Sequence, residues 1–268
     1  MKGMNTKMKS DHPFIATVLS GKGGVGKSMS SVNIALRLHE MGYSTAIIDA
    51  DLGLSNCAGF FNTEAKYTVV DWVNGKCGLE HLPQSIDGIT LVTGASEPGQ
   101  TNVSTEIMMD ALDQVAGFLH STHDFVFIDT PAGAGEMVLW ALDTADVGIL
   151  VIVDEPTAIS DVYRLCKYIY NIDPEYQFSG IVNFAENEQT AESTFKRFNT
   201  ILNYFLNKQI QYFGFIPSSK AIKRSVNDQK PLKKGSGADR EIKEIEFIAQ
   251  QVIAYSANRN RSNLKPVH

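Results

Sequence analysis

Cysteine is scarce in this 268-residue chain: Cys57, Cys77 and Cys166 are the only three, odd in number and far apart. Neither a disulfide framework nor a cysteine metal site is expected from them. The six histidines are scattered, without the spacing of a zinc site. No apolar run reaches the roughly 18–20 residues that would span a bilayer. The opening MKGMNTKMKSDHP is polar and lacks the apolar segment of a secretory signal. Positive charge is also short, with 24 Lys and Arg against 30 Asp and Glu, so nucleic acid is not an expected partner. What remains is ordinary globular composition, and a cytoplasmic protein is expected.

Short β-branched runs alternate with longer amphipathic stretches. The runs predict strands over 14–19, 45–49, 89–92, 125–129, 148–153, 179–183 and 212–215. Several are continuously apolar, as parallel strands buried on both faces must be. Helical periodicity covers 28–41, 106–119, 136–143, 158–170, 190–206, 220–228 and 238–255. Such alternation implies right-handed βαβ crossovers and an α/β fold: a doubly wound, mostly parallel sheet flanked by helices. One domain over 14–257 is expected, between a flexible extension at 1–13 and a polar, basic tail at 258–268.

After the first strand comes Ser20-Gly21-Lys22-Gly23-Gly24-Val25-Gly26-Lys27-Ser28 and then a helix. This fits the P-loop pattern G-x-x-x-x-G-K-S/T in its strand–loop–helix setting. The glycines let backbone N–H groups turn inward as an anion nest, and the helix N-terminus adds its positive dipole end. Lys27 is expected to reach the β- and γ-phosphates of ATP, and the Ser28 hydroxyl to ligate Mg²⁺. The nucleotide-contacting set is Gly21, Gly23, Gly24, Val25, Gly26, Lys27, Ser28 and Met29. Two further strands end in acids where ligands of doubly wound sheets lie: Asp49-Ala50-Asp51 and Phe125-Val126-Phe127-Ile128-Asp129. Strand alternation points Asp49 and Asp51 to one side. Asp129, in a Walker B setting running to Gly133, is placed to hold Mg²⁺ through Ser28 or a water, and the Gly133 amide to sense the γ-phosphate.

The second lysine of the loop, Lys22 in K-G-G-V-G-K-S, resembles the deviant Walker motif of the MinD/ParA ATPases. That resemblance implies that Lys22 reaches across an ATP-dependent homodimer to the partner's phosphates. The run Asp49-Ala50-Asp51-Leu52-Gly53-Leu54-Ser55-Asn56 is similar to the family's switch I. There Asp51 would position the attacking water and Asp49 would lie near the Mg²⁺ shell. Asn183 matches the position that hydrogen-bonds adenine, and Pro217 the loop closing over the base. Lys22, Lys27 and Asp51 are thus the implied catalytic set, and Ser28, Asp49 and Asp129 the implied metal set.

Within the family, Asp49–Asn56 and the run Asp154-Glu155-Pro156-Thr157-Ala158-Ile159-Ser160-Asp161-Val162-Tyr163 look most like the FlhG (FleN) flagellar regulators. Implied partners are the FlhF GTPase, a flagellar master transcription regulator and C-ring proteins. The N-terminal extension departs from that branch, lacking the D-Q-A-x-x-L-R stretch through which some members stimulate FlhF. Nitrogenase-type iron proteins need cluster-bridging cysteines that this chain does not offer. Alternatives are a ParA/MinD-type ATPase positioning a chromosome, plasmid or division site, or a nucleotide-dependent binding module with little turnover. Family members carry a C-terminal membrane helix. Here Ile242, Ile245, Ile248, Val252 and Tyr255 form one stripe, the signature of a helix packed on the sheet. Any weak peripheral contact at the inner face of the membrane would use Phe247 and Ile253, expected outward, with Arg259, Arg261 and Lys265.

Overall fold

The structure is a computed structural model that describes residues 13–52, 57–95 and 103–263, the last four as backbone only. Strand β1 (Phe14–Leu19) feeds helix α1 (Lys27–Glu40), and β2 (Thr45–Asp49) follows. Next come α2 (Val69–Val73), β3 (Gln84–Ile86), β4 (Ile89–Thr93), α3 (Thr105–His120), β5 (Phe125–Asp129) and α4 (Glu136–Thr144). The second half runs β6 (Val147–Ile152), α5 (Pro156–Ile172), β7 (Phe178–Ala185), α6 (Glu188–Leu206), β8 (Gln211–Pro217), α7 (Lys220–Asn227) and α8 (Asp239–Asn263).

The eight strands lie in the order β3-β4-β2-β5-β1-β6-β7-β8, and every pairing is parallel except β3 with β4. This is the expected α/β sheet. Period-2 alternation divides each buried strand between two cores. Val147, Ile149 and Val151 face α1 and α8, while Leu150 and Ile152 face α5 and α6. A third cluster continues that second face under α2, α3 and α4. Chain reversals between elements put the C-terminal ends of the parallel strands on one edge, where β1, β2 and β5 stand side by side.

One strand and one α-helix among the described residues escape the sequence prediction. Strand β3 has only three residues, mixed in polarity, and is held by an Asp87-Gly88 turn with φ of 49° and 88°. Helix α2 has five residues, fixed by a capping box between Thr68 and Asp71. The final helix also differs. It runs on to Asn263, beyond the expected end at 255, because residues 256–263 contain neither glycine nor proline. Arg259 anchors that extension through hydrogen bonding to the Asp146 carbonyl and an ion pair to its carboxylate. Ile242, Ile245, Ile248 and Val252 are buried against the sheet as the stripe predicts. Phe247 is exposed, but Ile253 packs against the core instead of facing outward. No described helix is long and apolar enough to cross a membrane.

Candidate nucleotide and metal site

The loop between β1 and α1 is shaped by how closely its neighbours approach. A Cβ on Gly21 would lie 2.3 Å from the Asp161 backbone of α5. One on Gly26, where φ is 92°, would lie 2.2 Å from Asn183 Nδ2 of β7. Side chains are therefore excluded at both ends of the loop by packing, whatever its ligand. Nothing lies within 4 Å of a Cβ built on Gly23 or Gly24, so the middle of the loop is open.

Lys27 begins α1 and is buried; its Nζ donates to Ser20 Oγ at 3.0 Å. Burial lowers its pKa, opposed by the nearby charges of Asp129 and Asp51. Ser28 Oγ donates to Asp129 Oδ2 at 2.5 Å, and Ser31 Oγ to Asp129 Oδ1 at 3.0 Å. Asp129 is fully buried. Burial raises its pKa, and the bonds from Ser28 and Ser31 and the charge of Lys27 oppose the rise. The parallel register sets Asp49 directly opposite Asp129, so both carboxylates emerge from the same strand ends. Asp49 accepts from the Asp51 N–H at 3.2 Å and from the Cys57 N–H at 3.0 Å.

Cys57 joins this cluster, with its Sγ 3.5 Å from Asp129 Oδ2, and no sequence signal pointed to it. Ligand atoms of Asp49, Cys57 and Asp129 all lie within 4.8 Å of one another. Burial and the two carboxylates push the thiol pKa well up, so in the metal-free chain Cys57 is a protonated thiol, and the carboxylates beside it are the better ligands for a hard cation. The available donors are oxygens: the Ser28 hydroxyl and two carboxylates whose joint charge exceeds that of Lys27. Hard divalent cations with few protein ligands, such as Mg²⁺, fit that set.

The other predicted residues are placed as follows. Lys22, on the outer side of the loop and about half exposed, pairs with Glu155 at 3.1 Å. Asp51 is half-buried just past β2. Met29 is buried in α1. Gly133 has φ of 94°, and its N–H donates to the Ser20 carbonyl at 3.0 Å, tying this segment to the loop. Asn183 is buried and clamps the loop: Nδ2 donates to the Val25 carbonyl at 2.7 Å, and Oδ1 accepts from the Phe184 N–H. Pro217 ends β8 opposite Ala185. The expected Gly53–Asn56 part of the switch-like run, and Lys265, lie outside the described residues, as does the side chain of Arg261.

A family model described as "ParA: NUBPL iron-transfer P-loop NTPase" matches residues 13–253. The chain is 30% identical over 256 residues to the "Antiactivator FleN" of Pseudomonas aeruginosa, covering 95% of this chain and 91% of that one. It is 31% identical over 251 residues to the "Flagellum site-determining protein YlxH" of Helicobacter pylori, covering 92% and 83% respectively. Among solved structures it resembles the MinC:MinD cell division complex of Aquifex aeolicus, with a TM-score of 0.73 at 21% identity over 90% of this chain and 96% of that chain. A septum site-determining MinD complexed with Mg-ADP, from Pyrococcus horikoshii OT3, gives 0.71 at 21% identity over 90% and 96%. At such identity the structural likeness speaks to the fold.

Proposed function

The chain belongs to the ParA/MinD family of P-loop ATPases, and we propose that it is a Mg²⁺-dependent switch that dimerises on ATP, hydrolyses it to ADP, and regulates flagellar number, placement and biosynthesis. The observation that carries the reading is the convergence of Lys27, Ser28, Asp49 and Asp129 on one buried spot beside an open glycine loop. When bound, Mg²⁺ would supply charge neutralisation for the phosphate oxygens from Ser28, Asp49 and Asp129. Lys27 binds the β- and γ-oxygens, exchanging its contact with Ser20 for phosphate. Asp51 orients the attacking water from the rim of the site. Lys22 is exposed on the loop, where a second copy can meet it, and stabilises charge on that copy's transferring phosphoryl group. Contacts to the γ-phosphate that ADP cannot make bias the chain toward the dimer.

The flagellar role rests on the two relatives named for flagella or as FleN. The FlhF GTPase, a flagellar master transcription regulator and C-ring proteins are the partners that role implies. Weak peripheral membrane contact at the inner face of the cell membrane is the remaining part of the proposal. Phe247 supports it, whereas Ile253 and Arg259 are engaged with the chain itself.

Three substitutions test the switch. Lys27→Ala should abolish ATP binding in calorimetry, since charge-assisted phosphate contacts worth about 3–6 kcal/mol are removed. Asp51→Ala should accumulate an ATP dimer, and Lys22→Ala should bind nucleotide as a monomer, both read by light scattering. Wild-type affinity in the first, or the reverse oligomer pattern in the other two, sinks the assignment. For the cellular role, wild type but not Lys27→Ala should restore flagellar number in cells lacking their own FleN.

A further inference from the structure

Of the large apolar side chains exposed among the described residues, Phe184 alone belongs to a strand; the others all sit on helices. It is 42% exposed, and its φ of 58° puts an aromatic residue in the left-handed region. Bulky side chains seldom occupy that region, and strain of this kind concentrates at ligand clamps. The cause is a bulge. Asn183 pairs with Ile216 and Ala185 with Pro217, so Phe184 is the extra residue with no partner in β8. Bulges of this sort turn a side chain out of the sheet beside active sites.

The position is bracketed by the site. On one side Asn183 holds the Val25 carbonyl of the loop at 2.7 Å and accepts the Phe184 N–H at 2.9 Å. On the other, the Ala185 carbonyl accepts the Ser218 N–H at 2.7 Å, which pins the turn after Pro217. Phe184 therefore stands at the C-terminal edge of the sheet, between the glycine loop and the β8–α7 turn. That edge is where ligands of doubly wound sheets bind. Its solvated aromatic ring contributes little to the core, while a purine has a flat face to cover it.

We propose that Phe184 is the stacking platform for the adenine base and so a residue that sets the nucleotide affinity of the ATPase. The proposal rests on the nucleotide-binding reading of the loop. Its ligand is the base, and the phosphates are left to the loop.

The test compares Mg-ADP with Mg-pyrophosphate, which shares the phosphates and lacks the base, by calorimetry on the full chain. Phe184→Gly removes the ring and suits the left-handed backbone, so the bulge is kept. It should weaken ADP by about tenfold, and pyrophosphate by less than about twofold. Phe184→Trp should retain ADP affinity, and its added indole emission should be quenched by ADP and not by pyrophosphate. Unchanged ADP affinity in Phe184→Gly overturns the proposal. Equal losses for both ligands overturn it too, because they would assign the bulge to loop geometry. Wild type that binds neither ligand would instead refute the nucleotide site itself.

Discussion

Asp129 has no solvent contact, and its carboxylate is held by two serine hydroxyls within reach of Lys27. Because burial raises its pKa above the ordinary 3.8, the metal-free folded chain holds a proton there over a window where the unfolded chain has released it. Stability from this group is therefore present below 3.8 and is lost as pH rises through the raised value. A divalent cation must displace the same proton, so Mg²⁺ affinity should weaken as pH falls into that window. Titrating Mg-ADP at successively lower pH should show the loss in wild type, and Asp129→Asn should bind weakly and with a shallower pH dependence. Equal slopes in both would place the titrating group elsewhere. Asn183 acts at the same scale by bonding. Asn183→Ala leaves the Val25 carbonyl without its partner and should cost about 1–3 kcal/mol in denaturant unfolding.

Between elements, the run Asp154–Tyr163 gains a physical role from the way α5 meets the P-loop. Its backbone at Asp161 leaves no room for a side chain on Gly21, and Glu155 at its start holds Lys22 in an ion pair. Asp154, next to it, is bonded by Arg197 of α6. Dimer formation as proposed would take Lys22 away from Glu155. Both partners are about half exposed, so the contact is screened and weak. Glu155→Gln should therefore shift the protein concentration for ATP-driven dimerisation only about two- to fivefold lower. Light scattering over a dilution series measures this, and a shift to higher concentration would mean that Glu155 assists the dimer.

At the scale of the molecule, the segment after α7 ties the P-loop helix to the C-terminal helix. Leu232 donates its N–H to Asn33 Oδ1 and accepts from Arg37, both at 3.0 Å, and both residues belong to α1. Arg37 is 2% exposed and also meets Glu40 at 2.9 Å, but among the described residues its Nη1 has no hydrogen-bond partner. Arg37→Ala should cost about 2–4 kcal/mol through lost packing and the stranded Leu232 carbonyl. Arg37→Met fills similar space without the orphaned donor and should cost less, in the same urea titration. The reverse order would show that charge rather than volume holds the segment.

The sequence by itself determined the loop from Gly21 to Ser28, the alternating strands and helices, and Asp49 and Asp129 as strand ends. Each depends on residues close along the chain, where spacing fixes backbone shape. Strand β3 went unread because its three residues are mixed in polarity; it is held through the Asp87-Gly88 turn to its antiparallel neighbour β4. Tertiary structure alone decided what meets what. Asn183 reaches Val25 across 158 positions and Glu155 reaches Lys22 across 133. Cys57 enters the carboxylate cluster, and one bulge turns Phe184 out of the sheet. The strand order sets β1, β2 and β5 as neighbours though other elements separate them in the chain. Local patterns constrain dihedral angles over a few residues; strand order and register come from burying both faces of the whole sheet at once.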